Sequence, residues 1–299
     1  IISIFLTKFS SLLGLVVLLT KAYYGLLIFL GRMNNKYFFS ALLIISLVFS
    51  CQRVPLTGRS QFTPLPESQI LSLSFQNYNE VLKSSQLSDD QEDVQMIRNV
   101  GKKISTSVEN YFREKNLSDR IDDFRWEFNL IKDDDMINAW CMPGGKVAFY
   151  TGILPVCEDE NGVATVMSHE IAHAIAKHGN ERMAQQLAVQ LGGTALSVAL
   201  SEQPETTQRL ALAAFGLGTQ FGVLLPYSRQ HELEADELGI YFMAMAGYDT
   251  SQAVDFWQRM ASQGGSRPPE FMSTHPSPEN RVSNIRQTIP KAQKYQGAY

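Results

Sequence analysis

Aspartate and glutamate are absent from the first fifty residues, which carry four basic residues and are otherwise largely apolar. Removing those four from the 26 basic residues leaves 22 against 30 acidic ones, so the rest of the chain has a net charge near −8. A body this acidic binds polyanions poorly. We therefore expect no nucleic-acid partner.

Histidine is scarce, with five residues in 299. Two of them lie in His169-Glu170-Ile171-Ala172-His173, an H-E-x-x-H motif whose surroundings predict one largely buried helix over Val163–His178. The four-residue spacing places both imidazoles on one helix face, where they can bind a single Zn²⁺. Glu170 lies about 100° round the helix, where its carboxylate can take a proton from zinc-activated water.

A catalytic zinc needs a third protein ligand, and Tyr227–Gly239 supplies candidate carboxylates. Glu232 and Asp236 are four residues apart, so one can bind zinc while the other accepts the outer N–H of a ligand histidine. Arg229 falls on the same stripe and would balance their charge. Glu234 points elsewhere and is the second choice as ligand.

These motifs together resemble a known family. HEIAHAIAKH followed by SRQHELEAD is similar to the HtpX and CAAX-prenyl-protease group of zinc metallopeptidases, and most similar to its BepA/LoiP periplasmic and mitochondrial overlapping-activity protease branch. Asn138–Leu154 and Ser273–Arg281 resemble two further motifs of that group. The resemblance covers about residues 55–288 and departs from the group's pattern at Cys141.

The resemblance implies one Zn²⁺ per chain, held by His169, His173 and Glu232, with Glu170 as the catalytic base. It implies an α+β, mostly helical fold of the thermolysin-like (gluzincin) type, with a small antiparallel sheet beside the zinc helix. The implied function is cleavage of misfolded or misassembled envelope proteins. The alternative is a chaperone or assembly factor whose protease domain is gated or silent.

The N-terminal region has the layout of a secretory signal: a short basic start at Met33, an apolar stretch and a small residue before Cys51. Ser50-Cys51 resembles a bacterial lipoprotein signal, which predicts lipidation of Cys51, membrane attachment through that lipid, and a location on the periplasmic face of the outer membrane. An uncleaved anchor helix is the alternative. The predicted divisions are an upstream extension or extra apolar segment at 1–32, a signal peptide at 33–50, a lipidated tether at 51–66 and a metallopeptidase domain at 67–290.

A hairpin is predicted just before the zinc helix, with strands Met136–Met142 and Lys146–Tyr150 joined at Pro143-Gly144-Gly145. Its outer strand would be a sheet edge that holds an extended substrate by main-chain hydrogen bonds. Asn138, Gly144 and Gly145 would let the substrate backbone approach, or the glycines would only form a tight turn.

Two segments rich in small residues, Ala184–Leu200 and Leu210–Leu225, follow the zinc helix. Each is shorter than the ~20 residues that span a bilayer. We expect closely packed helices that cover the active site, with a hairpin at a membrane surface as the alternative. Other predicted elements are a strand over Phe124–Ile131 and helices over Glu67–Leu82, Asp89–Tyr111, Ser228–Ala246, Thr250–Ala261 and Pro278–Thr288.

The remaining histidines have weaker signals. His178 is interpreted as structural, because a three-histidine zinc motif would need the next position, which is glycine. His275 would gate the site or stabilise an oxyanion, or else be a loop histidine tied to Arg281. His231 and Tyr227 are lesser oxyanion candidates.

Cys141 and Cys157 are the two cysteines left if Cys51 carries lipid. An oxidising compartment would allow them to form a disulfide. Two buried thiols are the equal alternative. The sequence indicates no oligomeric state.

Overall fold

The computed structural model describes residues 51–263, 269–275 and 280–299. The predicted upstream extension and signal peptide lie outside these residues, as does the start of the helix predicted from Pro278. Most of the described chain is helical, with two small sheets, as expected for the α+β class. The helices are α1 (Glu67–Ser84), α2 (Gln91–Glu114), α3 (Leu154–Cys157), α4 (Glu160–Ile175), α5 (His178–Ala199), α6 (Glu205–Thr219), α7 (Leu225–Met245), α8 (Gln252–Ser262), α9 (Glu270–Thr274) and α10 (Arg281–Ala292).

The centre of the core is α4, which is buried on all sides from Gly162 to Ile175. Its first turn is capped by Asp159, whose carboxylate accepts from the Gly162 N–H. It packs against α7, α2 and α8. At Gly239 of α7 an added Cβ would lie 3.2 Å from the backbone nitrogen of His169. Glycine is therefore needed for the two helices to meet backbone to backbone.

The helix predicted over Val163–His178 ends early, at Ile175. Lys177 has a left-handed backbone, with φ of 54°, and α5 begins at the next residue. Because the chain turns there, His178 does not continue the face of α4. Hydrophobic periodicity runs through the break and does not reveal it.

A three-stranded sheet borders α4 and consists of β3 (Glu127–Ile131), β4 (Ala139–Met142) and β5 (Lys146–Tyr150). The β4–β5 hairpin is antiparallel as predicted. The fully antiparallel sheet is wrong, because β3 pairs with β5 in parallel and the strand order is β3-β5-β4. Strand β4 lies at an edge of this sheet.

The segment predicted as an extended tether forms a second sheet, made of β1 (Cys51–Arg53) and β2 (Ser60–Phe62). Strand β2 contacts α5. The loop between β1 and β2 reaches α7 through Thr57 and Arg59. This N-terminal hairpin is therefore part of the folded body.

The two segments rich in small residues form a helical hairpin, α5–α6, in which Gly192 and Gly193 face Phe215. Helix α6 continues through a π turn at Gln220–Leu224 into α7, giving one helix over Glu205–Met245. Within the described residues this is the one helix whose length and composition would allow it to cross a membrane.

The predicted cover over the active site is wrong for most of this hairpin. Only the first turns of α5 border the cleft that Glu170 lines. None of the described residues of α6 is buried. The helix predicted from Ser228 also begins earlier, because α6 and α7 are continuous.

Candidate metal centre

Three predicted ligands converge in the core between α4 and α7. His169 Nε2 lies 3.1 Å from His173 Nε2 and 3.3 Å from Glu232 Oε2, and His173 Nε2 lies 3.5 Å from Glu232 Oε1. Tetrahedral zinc with ligand bonds of about 2.0–2.1 Å requires ligand atoms about 3.3 Å apart. The three side chains therefore fit a zinc ion without rearrangement.

Glu232 is suited to this role because it is ionised despite being buried. Burial would raise the pKa of its carboxyl group, but the hydrogen bond from His169 and the charges of His169, His275 and Arg281 lower it to about 2. Metal ligands must be deprotonated, so this environment prepares the carboxylate for a cation.

The outer nitrogen of His169 faces Asp236, with Nδ1 3.0 Å from Oδ1. Asp236 Oδ2 accepts from Arg281 Nε at 2.7 Å, and Arg281 Nη2 donates to Glu232 Oε2 at 2.8 Å. The guanidinium also stacks over Trp257, 3.8 Å from the ring centroid. Both carboxylates are therefore held in place by one buried arginine.

Arg229 does not take the place that was expected for it. Its position in the first turns of α7 comes before the helix enters the core, so its side chain is exposed. Arg281 of α10 supplies the balancing charge instead. Glu234 also lies away from the ligand atoms and accepts from His178 Nε2 at 3.0 Å.

Glu170, on the neighbouring face of α4, is 2% exposed and borders a cleft of about 450 Å³. Burial raises the pKa of its carboxyl group to about 8, with Glu232 contributing and a hydrogen bond from the Cys141 backbone opposing. A cation nearby lowers such a pKa, which brings it into the range where a carboxyl group both takes and returns a proton near neutral pH.

His275 follows α9 and reaches the same centre. Its Nε2 lies 3.4 Å from Glu170 Oε1, and it can offer a ligand atom within 4.8 Å of those of His169, His173 and Glu232. Its Nδ1 lies within hydrogen-bond distance of the Phe271 carbonyl and the Thr274 hydroxyl. The predicted alternative of a pairing with Arg281 therefore does not describe this imidazole. His231 and Tyr227 do not border the cleft.

The edge strand β4 forms one wall of the cleft that Glu170 borders. The bond from Tyr150 N–H to the Asn138 carbonyl sets the ladder so that Ala139 and Cys141 direct their main-chain groups away from β5. Gly144 and Gly145 both have φ of 83°, and an added Cβ would overlap Phe75 or Trp126. Turn geometry and packing therefore explain the two glycines without a substrate.

Three residues at or near the site escaped the sequence reasoning. Arg182 borders the cleft one turn after His178, and only the break at Lys177 brings it there. Trp257 lies against both His169 and Arg281. Arg59 pairs with Glu181 and Glu234 from more than 100 residues away. Cys141 and Cys157 are free thiols, so the disulfide alternative is wrong for this structure.

Comparison with known proteins bears on this site. The sequence model of peptidase family M48 matches residues 100–289, a range that includes all the candidate ligands. Mitochondrial metalloendopeptidase OMA1 of Schizosaccharomyces pombe is 40% identical over 175 residues, 57% of this chain and 49% of that protein. The Saccharomyces cerevisiae protein of the same name is 29% identical over 251 residues, 80% of this chain and 69% of that protein.

The beta-barrel assembly-enhancing protease of Escherichia coli is 32% identical over 166 residues, 54% of this chain and 34% of that protein. The chain thus spans about half the length of the S. pombe relative and about a third of the E. coli one.

These comparisons correct the predicted location. The periplasmic face of a bacterial outer membrane is wrong, because the yeast relatives, and others from Arabidopsis thaliana and Bos taurus, are mitochondrial proteins. The lipid anchor at Cys51 was inferred for a bacterial envelope and loses its support with that location.

Proposed function

The chain belongs to peptidase family M48, and we propose that it is a zinc-dependent endopeptidase with His169, His173 and Glu232 as ligands of a single Zn²⁺. The observation that carries the proposal is the spacing of the three ligand atoms, 3.1 to 3.5 Å, with a buried carboxylate beside them. A glutamate third ligand would make this a thermolysin-like, gluzincin centre.

When bound, zinc supplies the Lewis acidity that makes water nucleophilic at neutral pH and polarises a peptide carbonyl. Glu170 acts as the general base: it accepts a proton from the attacking water and passes it to the leaving amine. Asp236 and Arg281 fix the orientation of His169 and Glu232, respectively. Burial of the whole set excludes bulk water from these charges.

Substrate would bind in an extended form along β4. The main-chain groups of Ala139 and Cys141 point away from β5 beside Glu170, and a substrate strand would take over the bonds that their N–H groups now make to Asn138 and Glu170. Strand addition of this kind selects weakly among side chains. Asn138 borders the same cleft, although its amide oxygen is occupied by the Ala139 N–H. Arg182 at the cleft could bind a substrate carbonyl. Unfolded protein segments fit these requirements.

His275 would act as a gate. It lies within 4.8 Å of the three ligand atoms and close to Glu170, in the space that a substrate carbonyl would need. Productive binding then requires the imidazole to withdraw or to donate to the oxyanion. Arg281 lies six residues after His275 in the chain and is anchored on α7 by Glu232 and Asp236.

We place the enzyme in mitochondria, in line with its yeast relatives, and at a membrane surface. Among the residues that the structure describes, eleven large apolar side chains are strongly exposed. Eight of them lie on the hairpin and the helix that follows: Leu187, Leu191, Val198, Leu210, Leu217, Phe221, Val223 and Tyr227. Between residues 183 and 228 the charged residues are Glu202, Glu205 and Arg209, all near the hairpin tip. Soluble monomeric proteins rarely leave so many large apolar side chains exposed in one region of their surface.

The experiment that tests the proposal is Glu170→Gln in the full chain. We expect zinc to be retained and cleavage of an unfolded protein to fall by about 10²- to 10⁴-fold, the usual contribution of a general base. Metal content and the rate of cleavage are measured on the same preparation, with Glu158→Gln, an exposed acid, as the control.

Cleavage by Glu170→Gln at the wild-type rate would show that Glu170 is not the base. An inactive wild type that binds zinc and holds unfolded clients would favour the chaperone alternative. The presence of both ligand set and base in one buried cluster supports the enzyme instead.

A further inference from the structure

The N-terminal hairpin inserts one arginine between two buried glutamates. Arg59 Nε donates to Glu234 Oε2 at 2.6 Å, while its two terminal nitrogens donate to the two oxygens of Glu181 at 3.1 and 2.6 Å. Thr57 donates to the other oxygen of Glu234. We call Thr57 and Arg59 the N-terminal clamp.

Glu234 connects the clamp to the metal centre through His178. His178 Nε2 lies 3.0 Å from Glu234 Oε2, and its Nδ1 lies 2.8 Å from His173 Nδ1. Glu234, His178 and His173 are buried, and 14% of the Arg59 side chain is exposed. An unbroken chain of contacts therefore runs from the clamp to a zinc ligand.

The direction of each hydrogen bond follows from the charges. Glu234 accepts from Arg59 Nε through Oε2 and from Thr57 through Oε1, so both of its oxygens act as acceptors. A neutral His178 must then donate to Glu234 from Nε2, which leaves its Nδ1 as an acceptor. His173 must then donate from Nδ1, so its free lone pair is on Nε2, the atom that faces Glu232.

A second metal site is the competing interpretation, because His178, Glu181 and His231 also bring potential ligand atoms together. The Arg59 guanidinium already pairs with Glu181, and its positive charge would repel a dication there. His231 Nε2 bonds Glu181, and its ring stacks on His178 with centroids 4.2 Å apart. These contacts make the cluster a rigid support instead.

We propose that Thr57 and Arg59 are positioning residues of the zinc centre, which hold His173 in its binding tautomer and orientation through Glu234 and His178. The inference rests on the proposed zinc-peptidase function. The clamp lies outside residues 100–289, the range matched by the family model, so the centre takes part of its support from the N-terminal hairpin.

The test is the zinc dissociation constant of the full chain, measured by competition with a chromophoric chelator. Partners that orient a metal-bound histidine typically change affinity 10- to 100-fold, and we expect Arg59→Ala to weaken zinc binding by about that factor. Arg59→Lys should recover only part of the affinity, because an ammonium cannot span both carboxylates. Arg53→Ala removes an exposed arginine from the same hairpin and should leave the constant unchanged.

Two further measurements separate positioning from loss of folding. Thr57→Val keeps the shape of the side chain but removes its hydrogen bond to Glu234. It should weaken zinc binding severalfold while the metal-free chain still unfolds in one cooperative transition. With Co²⁺ in place of zinc, Arg59→Ala and Glu234→Gln should shift the visible absorption spectrum in the same way. The double variant should add little, because the two residues act in one chain of contacts.

Wild-type zinc affinity in both Arg59→Ala and Thr57→Val, beside loss of zinc in His169→Ala, would overturn the clamp and leave the proposed function standing. Two zinc ions per wild-type chain, one of them lost in His231→Ala, would also overturn it. No zinc in the wild type would instead overturn the proposed function and the inference together.

Discussion

The metal centre and the α5–α6 hairpin are connected through α5 and through the continuous α6–α7 helix, but the centre buries polar side chains whereas the hairpin exposes apolar ones. Near the centre, α5 and α7 bury charged and polar side chains such as Glu181 and Glu232, and each has a partner of opposite charge. Farther along, α5 and α6 expose side chains such as Leu191 and Leu217, at 61% and 58%.

The two regions differ in the contacts that neighbouring elements of the chain provide for them. Buried charges persist only when paired, and the centre meets that condition with residues from five separate elements. Within the described residues the hairpin packs mainly on itself and leaves its apolar side chains exposed. The candidate ligands of the centre all come from this chain, whereas the proposed membrane contact of the hairpin would need an external apolar phase.

The largest expected effect is on the centre. Glu232→Ala removes a ligand and leaves Arg281 without one of its carboxylates, so we expect zinc to be lost at concentrations that saturate the wild type. Arg229→Ala, an exposed residue of the same helix, should keep one zinc per chain. Metal analysis after dialysis distinguishes them, and full zinc in Glu232→Ala would mean that the third ligand is another residue.

The next largest effect is expected on stability, where α4 and α7 are in close contact. Gly239→Ala places a methyl group 3.2 Å from the His169 backbone, where neither helix can yield easily. We expect unfolding free energy to fall by about 2–3 kcal/mol. The control is Gly216→Ala on α6, where an added Cβ meets nothing within 4 Å. Equal melting temperatures for the two variants would contradict the contact.

We expect acid to destabilise the ion-pair cluster around Glu181, which supports the metal centre. Burial would raise the pKa of Glu181, but bonds from His231 and Arg59 lower it to about 2. The folded pKa lies below the ordinary 4.5, so the stabilisation is present above pH 4.5 and lost as the pH falls towards 2. We expect about 2 kcal/mol between wild type and Glu181→Gln at pH 6, shrinking towards pH 3 in urea titrations. A constant difference across that range would refute the pairing.

The smallest effect on folding is expected in the hairpin. Leu191→Glu and Leu217→Glu should change the unfolding free energy by less than about 0.5 kcal/mol, because both side chains are exposed. Each substitution should weaken binding to phospholipid vesicles, measured by co-sedimentation, by about tenfold, because the leucine side chain no longer transfers from water into the apolar part of the bilayer. Leu73→Glu, at 53% exposure on α1, should not. Unchanged vesicle binding in all three would remove the membrane from the proposal.

The two regions also differ in how far sequence could predict them. His169, Glu170, His173 and Glu232 were nominated because helical spacing fixes which side chains share a face. Asp236 was nominated as a support by the same spacing. Arg59 was missed, and Arg281 was linked to His275 rather than to the carboxylates, since both arginines reach the site through tertiary packing. The partner of β3 was missed because alternation identifies a strand without its neighbour. The two helices of the α5–α6 hairpin were predicted. Their exposure was not, because it depends on which other elements pack against them, and local sequence patterns do not carry that information.

The continuity of the helix over Glu205–Met245 has a mechanical consequence. Its exposed tip and the ligand Glu232 are joined by about 27 residues at 1.5 Å each, a lever of about 40 Å. The tip and the ligand carboxylate are held by one continuous backbone, which the π turn at Gln220–Leu224 interrupts as the one change of helical hydrogen bonding along it. A displacement of the tip would therefore be transmitted along this helix towards the metal site.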